Sequence, residues 1–174
     1  MTTSEFQLFD PDSDIPGFRA PRNRALLDYW LSLRGHRRMP RRADIDPSAI
    51  PNLLPHLMVT ELSGEPPRAR YRLVGTEIVA LAKFDFTGRF ADELQFQDAE
   101  AFDYAGCYAE VAASRLPGRG LSWWLVAGQR ARWIEFLICP LSDDGQRVNQ
   151  CIALEDYEPL DLVERDSLVP VARR

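Results

Sequence analysis

The chain has 174 residues, of which 45% are hydrophobic, and it carries a formal net charge of -5. This length fits one domain with short extensions, and four Trp and nine Phe supply enough apolar surface for a core. The acidic balance argues against a protein whose whole surface binds phosphate backbones or anionic lipids.

The first 18 residues are polar, acidic and interrupted by Pro11, Pro16 and Gly17. This composition predicts a flexible N-terminal arm over residues 1–18. The arm has no basic stretch followed by an apolar stretch, so it does not have the pattern of a secretory signal. The longest apolar runs in the sequence are far shorter than the roughly 20 residues that a membrane-spanning helix needs.

The three cysteines are Cys107, Cys139 and Cys151, and none of them forms a CxxC pair. An odd number without this spacing predicts neither a disulfide framework nor a zinc site. The cysteines, together with the missing signal pattern, favour a reduced, cytoplasmic setting.

An amphipathic helix is predicted from Asn23 to Gly35. Its apolar positions recur at helical spacing, and they are Leu26, Leu27, Trp30, Leu31 and Leu33. Because such a stripe needs a partner surface, we expect a homodimer formed through this helix and the sheet.

A short helix is predicted next, with Asp46 as its N-cap, Pro47 at its first position and Pro55 at its end. Two strands follow, over residues 57–62 and 69–75, and the loop between them is long enough for a hairpin.

Beyond the second strand, Thr76 is predicted to cap a helix over residues 77–84. The sequence DFTG then forms a turn into a short helix over 89–94, and a longer helix runs from about Asp98 to Arg115.

After Arg115 the hydrophobic pattern changes to a period of two. Strands are predicted over residues 121–127, 130–141 and 147–156, joined by tight turns. The compact domain is expected to cover 19–156, followed by an acidic tail over 157–174.

Four motifs in this order carry a family resemblance: MPRRADIDPSAIPNLLPHL, YRLVGTEIV, DFTGR and ICPLSDDG. Together they resemble the stand-alone bacterial PAS-domain family, over about Leu26 to Leu154. The resemblance implies an α+β fold, in which a PAS-like five-stranded antiparallel sheet has helices on one face and a pocket between the two layers. The N-terminal amphipathic helix is additional to this core.

The resemblance also bears on cofactors. A PAS domain that binds haem typically ligates the iron through a histidine on its pocket helices, and residues 77–115 contain none. A light-sensing flavin domain carries an Asn-Cys-Arg type motif there, which the sequence around Cys107 does not match. Haem and photoactive flavin are therefore disfavoured, and the cofactor or ligand stays unknown.

The candidate pocket residues come from strand alternation and from the turn after the second strand. Glu135 alternates onto the same strand face as Trp133 and Leu137, where a carboxylate could bind a ligand or instead form a cross-strand pair. The other candidates are Tyr71, Leu73 and Thr76, for which a place in the core or at a helix cap is the alternative.

The leading functional hypothesis is a cytoplasmic sensory or adaptor protein that binds a small ligand or a signalling partner, such as a kinase or response regulator. The alternative is a small isomerase or dehydratase that uses Glu135 with His36 or His56. A third reading, nucleic-acid binding through the arginines of residues 34–42, is disfavoured because the rest of the chain is acidic.

Charge is distributed unevenly along the chain. Residues 19–42 contain eight arginines and one acid, whereas residues 155–166 contain six acids and one arginine. The two segments are either separate solvated surfaces or partners, within one chain or between two chains.

Overall fold

The computed structural model describes residues 4–94, 102–127, 130–157 and 162–164. The strands are β1 Glu5–Leu8, β2 Leu57–Ser63, β3 Arg68–Val74, β4 Gly118–Ala127, β5 Arg130–Leu141, β6 Gln150–Asp156 and β7 Leu162–Glu164. The α-helices are α1 Pro21–Arg34, α2 Thr76–Ala82 and α3 Tyr104–Ser114. Short 3-10 helices cover Arg42–Asp44, Pro47–Ala49, Leu54–His56 and Ala91–Glu93.

All the strands belong to one sheet with antiparallel pairing, in the order β1-β4-β5-β6-β2-β3. The predicted five-stranded core, β4-β5-β6-β2-β3, is confirmed. Two short strands are added to it: β1 pairs with β4, and β7 pairs with the first residues of β5.

Strand β1 lies in the segment that was expected to be a flexible arm. Its Phe6 ring lies over Gly118, where an added Cβ would be 2.2 Å from the ring, and the Phe136 ring covers Gly120 in the same way at 2.1 Å. The two rings stack with their centroids 5.9 Å apart. Pairing with β1 continues to Gly118, so β4 begins there and not at residue 121 as predicted.

Helix α1 packs on one face of the sheet, which we call the outer face. Leu26, Leu27 and Trp30 are completely buried, and the Trp30 indole donates a hydrogen bond to the Pro140 carbonyl at 2.9 Å. The apolar stripe of this helix is therefore covered by strands β5 and β6 of the same chain. The reason for expecting a homodimer through this helix no longer holds.

The opposite face, which we call the inner face, carries α3. Tyr104 of α3 contacts the ring of Phe136 on β5, and Tyr108 contacts the ring of Tyr71 on β3. Helix α2 packs against the 3-10 turn Leu54–His56 and buries Ile78 in the core. The two sides of the sheet are thus covered by different helices.

Thr76 does not cap α2. Gly75 is the N-cap and Thr76 is the first helical residue, with an exposed side chain. Gly75 has a φ of -65°, so a positive φ does not explain the glycine. An added Cβ would lie 2.2 Å from the Pro55 carbonyl oxygen, so the close approach of two backbones requires glycine here.

The segment before β2 forms separate 3-10 turns and not the single short helix predicted. Asp46 caps the second turn as expected, because its side chain accepts a hydrogen bond from the Ser48 backbone N–H at 2.9 Å. Pro55 lies inside the turn at Leu54–His56 and does not end a helix. Frequent prolines prevent continuous i to i-4 bonding here.

Helix α3 begins at Tyr104, with Asp103 as its N-cap, and it ends where Arg115 adopts a φ of 61°. The part of the predicted helix before residue 102 lies outside the described residues. The helix predicted over 89–94 is a single 3-10 turn. Strand β6 starts three residues later than predicted. Among the described helices, none is long and apolar enough to cross a membrane.

Replacing Gly75 by Ala should destabilise the fold by roughly 1–3 kcal/mol, because the new methyl group would overlap the Pro55 carbonyl. The matched control is Gly17→Ala, at a glycine with no atom within 4 Å of an added Cβ, which should change stability by less than about 0.5 kcal/mol. Urea denaturation of both variants measures the difference. Equal stabilities would show that the approach of the two backbones is not constraining.

Candidate functional site

Three buried carboxylates lie on the two central strands. Glu135 of β5 pairs with Asp156 of β6, and both side chains are on the outer face. Glu155 precedes Asp156, so strand alternation puts it on the inner face, beside Phe136. The three acids have exposures between 0% and 6%, and each therefore requires a partner or a shifted pKa.

Glu135 is fully paired. It accepts hydrogen bonds from the backbone N–H groups of Arg19, at 3.1 Å, and Ala20, at 2.7 Å. The buried Arg119 guanidinium contacts the same carboxylate at 2.6 Å and 2.8 Å. Asn23 donates to the backbone carbonyl of Glu135 at 2.8 Å. These bonds fix the start of α1 on the sheet.

Asp156 completes this attachment. It accepts from the Arg22 backbone N–H at 3.3 Å and forms an ion pair with the Arg22 side chain at 3.0 Å. Helix α1 has no acidic residue in its own first turn and no capping side chain. Carboxylates from the sheet therefore satisfy the positive end of the helix. This ion pair also joins the arginine-rich and acidic segments within one chain.

The position of Glu135 removes it from the inner face, where the predicted pocket would lie. Its hydrogen bonds hold α1 and leave it no contact with a histidine among the described residues. His36 is exposed, and the Nδ1 atom of buried His56 contacts the Glu155 backbone carbonyl at 3.1 Å. The acid–base pair of the alternative enzyme hypothesis is therefore not assembled around Glu135.

The structure does not bring the six predicted site residues together. Trp133 and Leu137 share the outer face with Glu135, as alternation predicted, and both are buried. Leu73 and Thr76 line an outer groove of about 380 Å³. The groove is lined by Arg42, Ile45, Pro47, Ile50, Leu54, Pro55, Leu57, Val59, Leu73, Val74, Gly75 and Thr76.

Tyr71 and Leu73 were expected on one face, but a bulge separates them. Leu73 pairs with Val59, and Tyr71 pairs with the next residue of β2, Thr60. Because Val59 and Thr60 point to opposite faces of the sheet, Leu73 and Tyr71 also lie on opposite faces. Leu73 therefore contributes to the outer groove and is 43% exposed, whereas Tyr71 points inward and is 3% exposed.

Tyr71 belongs to an aromatic cluster on the inner face. Its ring meets Phe86 edge-on, with centroids 4.8 Å apart, and Tyr108 of α3 at 6.0 Å. Burial raises the pKa of the Tyr71 and Tyr108 phenols, and the nearby Glu155 raises both further. Both phenols are therefore neutral at physiological pH.

A second part of the cluster surrounds Tyr104. Its hydroxyl shares a hydrogen bond of 2.6 Å with Ser122 and accepts one of 2.9 Å from the Trp124 indole. Its ring lies 5.4 Å from that of Phe136, the neighbour of Glu155 across β5 and β6. Burial raises the pKa of Tyr104, and Glu155 adds to this shift.

Glu155 is the functional candidate that sequence reasoning missed. Its Oε2 atom finds no hydrogen-bond partner among the residues that the structure describes. Desolvation raises the pKa of this carboxyl to about 8. The sequence did contain a signal, because alternation in β6 places Glu155 on the same face as Cys151 and Ala153. Its position at the start of the acidic segment over residues 155–166 made this signal easy to overlook.

Replacing Glu135 by Ala should destabilise the protein by roughly 3–5 kcal/mol, because Arg119 would be left buried beside unpaired backbone donors. The control is Glu61→Ala, which removes an exposed ion pair with Arg72 and should cost less than about 1 kcal/mol. Chemical denaturation measures both. A loss for Glu135→Ala no larger than that of the control would contradict the anchoring role.

Glu155 should make stability fall as the pH rises. Below pH 4.5 the carboxyl is protonated in the folded and the unfolded chain, whereas between about 4.5 and 8 only the folded chain keeps the proton. The Glu155→Gln variant lacks this titration. Its free energy of unfolding, relative to wild type, should rise by at least about 1.4 kcal/mol between pH 5 and pH 8. If urea denaturation gave the same difference in free energy of unfolding between variant and wild type at both pH values, this prediction would be refuted.

Comparison with known proteins agrees with this architecture. The chain is similar to a solved structure described as an RNA-binding Light-Oxygen-Voltage receptor, with a TM-score of 0.53 and 15% identity, over 90% of this chain. This chain spans 39% of the length of that receptor chain. A second similar structure, the light state of the blue-light photoreceptor Aureochrome1 LOV, has 14% identity and a TM-score of 0.45, over 68% of this chain and 89% of the other.

No curated protein matches the chain. A family model described as PAS domain matches residues 18–153. This match covers most of the sequence and includes strands β2 to β5, most of β6, and all three helices. The chain therefore belongs to the PAS domain family.

Proposed function

We propose that this PAS domain is a cytoplasmic sensor or adaptor that binds a small organic ligand on the inner face of its sheet. The observation that carries the proposal is Glu155, a buried acid whose Oε2 atom has no hydrogen-bond partner among the described residues, next to the aromatic cluster. Buried polar groups are normally paired, and exceptions with shifted pKa values are enriched at functional sites.

The ligand acts by changing how α3 and α2 pack on the sheet. Tyr104 and Tyr108 place two residues of α3 close to Glu155, so a molecule bound there contacts both the helix and the strand. Helix α2 is connected to the end of β6, since the Tyr157 hydroxyl donates to Glu77 at 3.1 Å. A ligand that binds one packing more tightly shifts the population toward it.

The altered helices then contact a separate signalling protein, such as a kinase or a response regulator. This part of the proposal rests on the family, whose members commonly combine sensing with protein contacts. The position of Glu155 supports this part of the proposal, because the candidate binding group lies directly beneath α3. A change at Glu155 could therefore reach the helix without passing through the rest of the domain.

Native mass spectrometry of the freshly purified full chain tests the proposal. We expect a discrete mass excess that disappears on denaturation, and we expect it to decrease in Glu155→Gln, since the variant changes the one unpaired buried acid of the described inner face. Added extracts of small metabolites should restore the mass excess in protein stripped of its ligand. A chain that shows no mass excess, before or after incubation with the extracts, would refute ligand sensing.

A further inference from the structure

The missing partner of Glu155 indicates the chemical class of the ligand. Arg119 is the one buried basic side chain among the described arginines and lysines, and it lies on the outer face, where Glu135 and Glu5 hold it. Within the described residues, the inner face thus contains a buried carboxyl without a buried arginine or lysine beside it. In a medium of low dielectric constant, a cation supplied from outside would be bound strongly.

The groups around Glu155 also match a cation. Tyr71, Tyr104 and Tyr108 lie close enough to Glu155 to interact with its charge, and Phe136 is its neighbour across β5 and β6. The electron-rich faces of aromatic rings attract ammonium groups, while the apolar edges accommodate hydrocarbon. An anionic ligand would be repelled by Glu155 once the carboxyl ionises, and a neutral ligand would not use the carboxylate charge.

We propose that the inner-face site binds a small organic amine in its protonated form, with the ammonium group held by the Glu155 carboxylate and by the faces of the surrounding aromatic rings. This inference rests on the proposed sensor function and specifies its ligand class. The hydrocarbon part of the amine contacts the aromatic cluster, so the size of that part determines selectivity among amines.

Amine binding should be coupled to release of a proton. The carboxyl has a pKa of about 8 in the free protein, so it is mostly protonated at pH 7, whereas an alkylammonium with a pKa near 10 arrives already charged. Ion pairing requires the carboxylate, and its proton therefore passes to the solvent. Affinity should rise with pH through about 8 and fall once the amine itself loses its proton.

The phenols and thiols near this site do not account for such a proton. Tyr71 on β3 and Tyr104 and Tyr108 on α3 are neutral phenols, because burial raises the pKa of each. The Cys107 and Cys151 thiols have raised pKa values for the same reason. On α2, Glu77 is exposed and accepts from Tyr157, and His56 contacts the Glu155 backbone through Nδ1.

Isothermal titration calorimetry on the full chain tests this inference with methylamine, butylamine and benzylamine, each compared with the alcohol of the same shape. At pH 7 we expect at least one amine to bind about tenfold or more tightly than its alcohol. In buffers of different ionisation enthalpy, its binding should release up to about one proton.

Glu155→Gln should weaken binding of that amine by about tenfold or more and abolish the proton release, while the exposed Glu61→Gln should bind as wild type does. Circular dichroism verifies that both variants are folded, and the proton release of the wild-type protein provides a test that needs no variant. Equal affinity for amines and alcohols, no binding of any amine, or unchanged binding by Glu155→Gln would overturn the inference. A retained ligand without an amino group would overturn only the amine assignment, whereas the absence of any retained or rebound ligand would also refute the sensor function.

Discussion

The burial of carboxylates on adjacent positions of β5 and β6 is the constraint on which the rest of the structure depends. Glu135 and Asp156 receive the backbone N–H groups at the start of α1, so this helix is tied to one side of the sheet. Glu155 points to the other side, where no arginine or lysine among the described residues is buried with it beside the aromatic cluster. The same strand alternation thus produces a structural attachment on one face and a chemically incomplete site on the other.

Much of the fold follows from patterns that short stretches of sequence contain. The periods of 3.6 and 2 identify α1, α2 and the five core strands, and the Asp46 cap is read correctly because capping depends on neighbouring residues only. Strand β1 was missed because four residues carry little periodic signal. Its position depends on packing of the Phe6 ring against Gly118, and these two residues are more than a hundred positions apart in the sequence.

The site was harder to predict for a physical reason. Alternation placed Glu135, Trp133 and Leu137 on one face correctly, but a sheet covered on both sides has two apolar faces, and periodicity does not tell which one α1 covers. The bulge opposite Val59 and Thr60 adds a second uncertainty, because it places Tyr71 and Leu73 on opposite faces of the sheet although they are two positions apart. Alternation in β6 places Glu155 on the inner face, but its importance depends on the absence of a buried arginine or lysine beside it among the residues that the structure describes.

The sheet borders limit how another polypeptide could associate with this domain. The short strand β1 occupies the free side of β4, and on the far border the Tyr71 backbone bonds with Gly88 and Arg89. The chain itself thereby covers part of each margin, at Gly118–Leu121 of β4 and around Tyr71 of β3, and this partial cover discourages intermolecular strand addition there and the fibrillar association that can follow from it. At these covered positions a binding protein would consequently contact side chains and would not extend the ladder of main-chain hydrogen bonds.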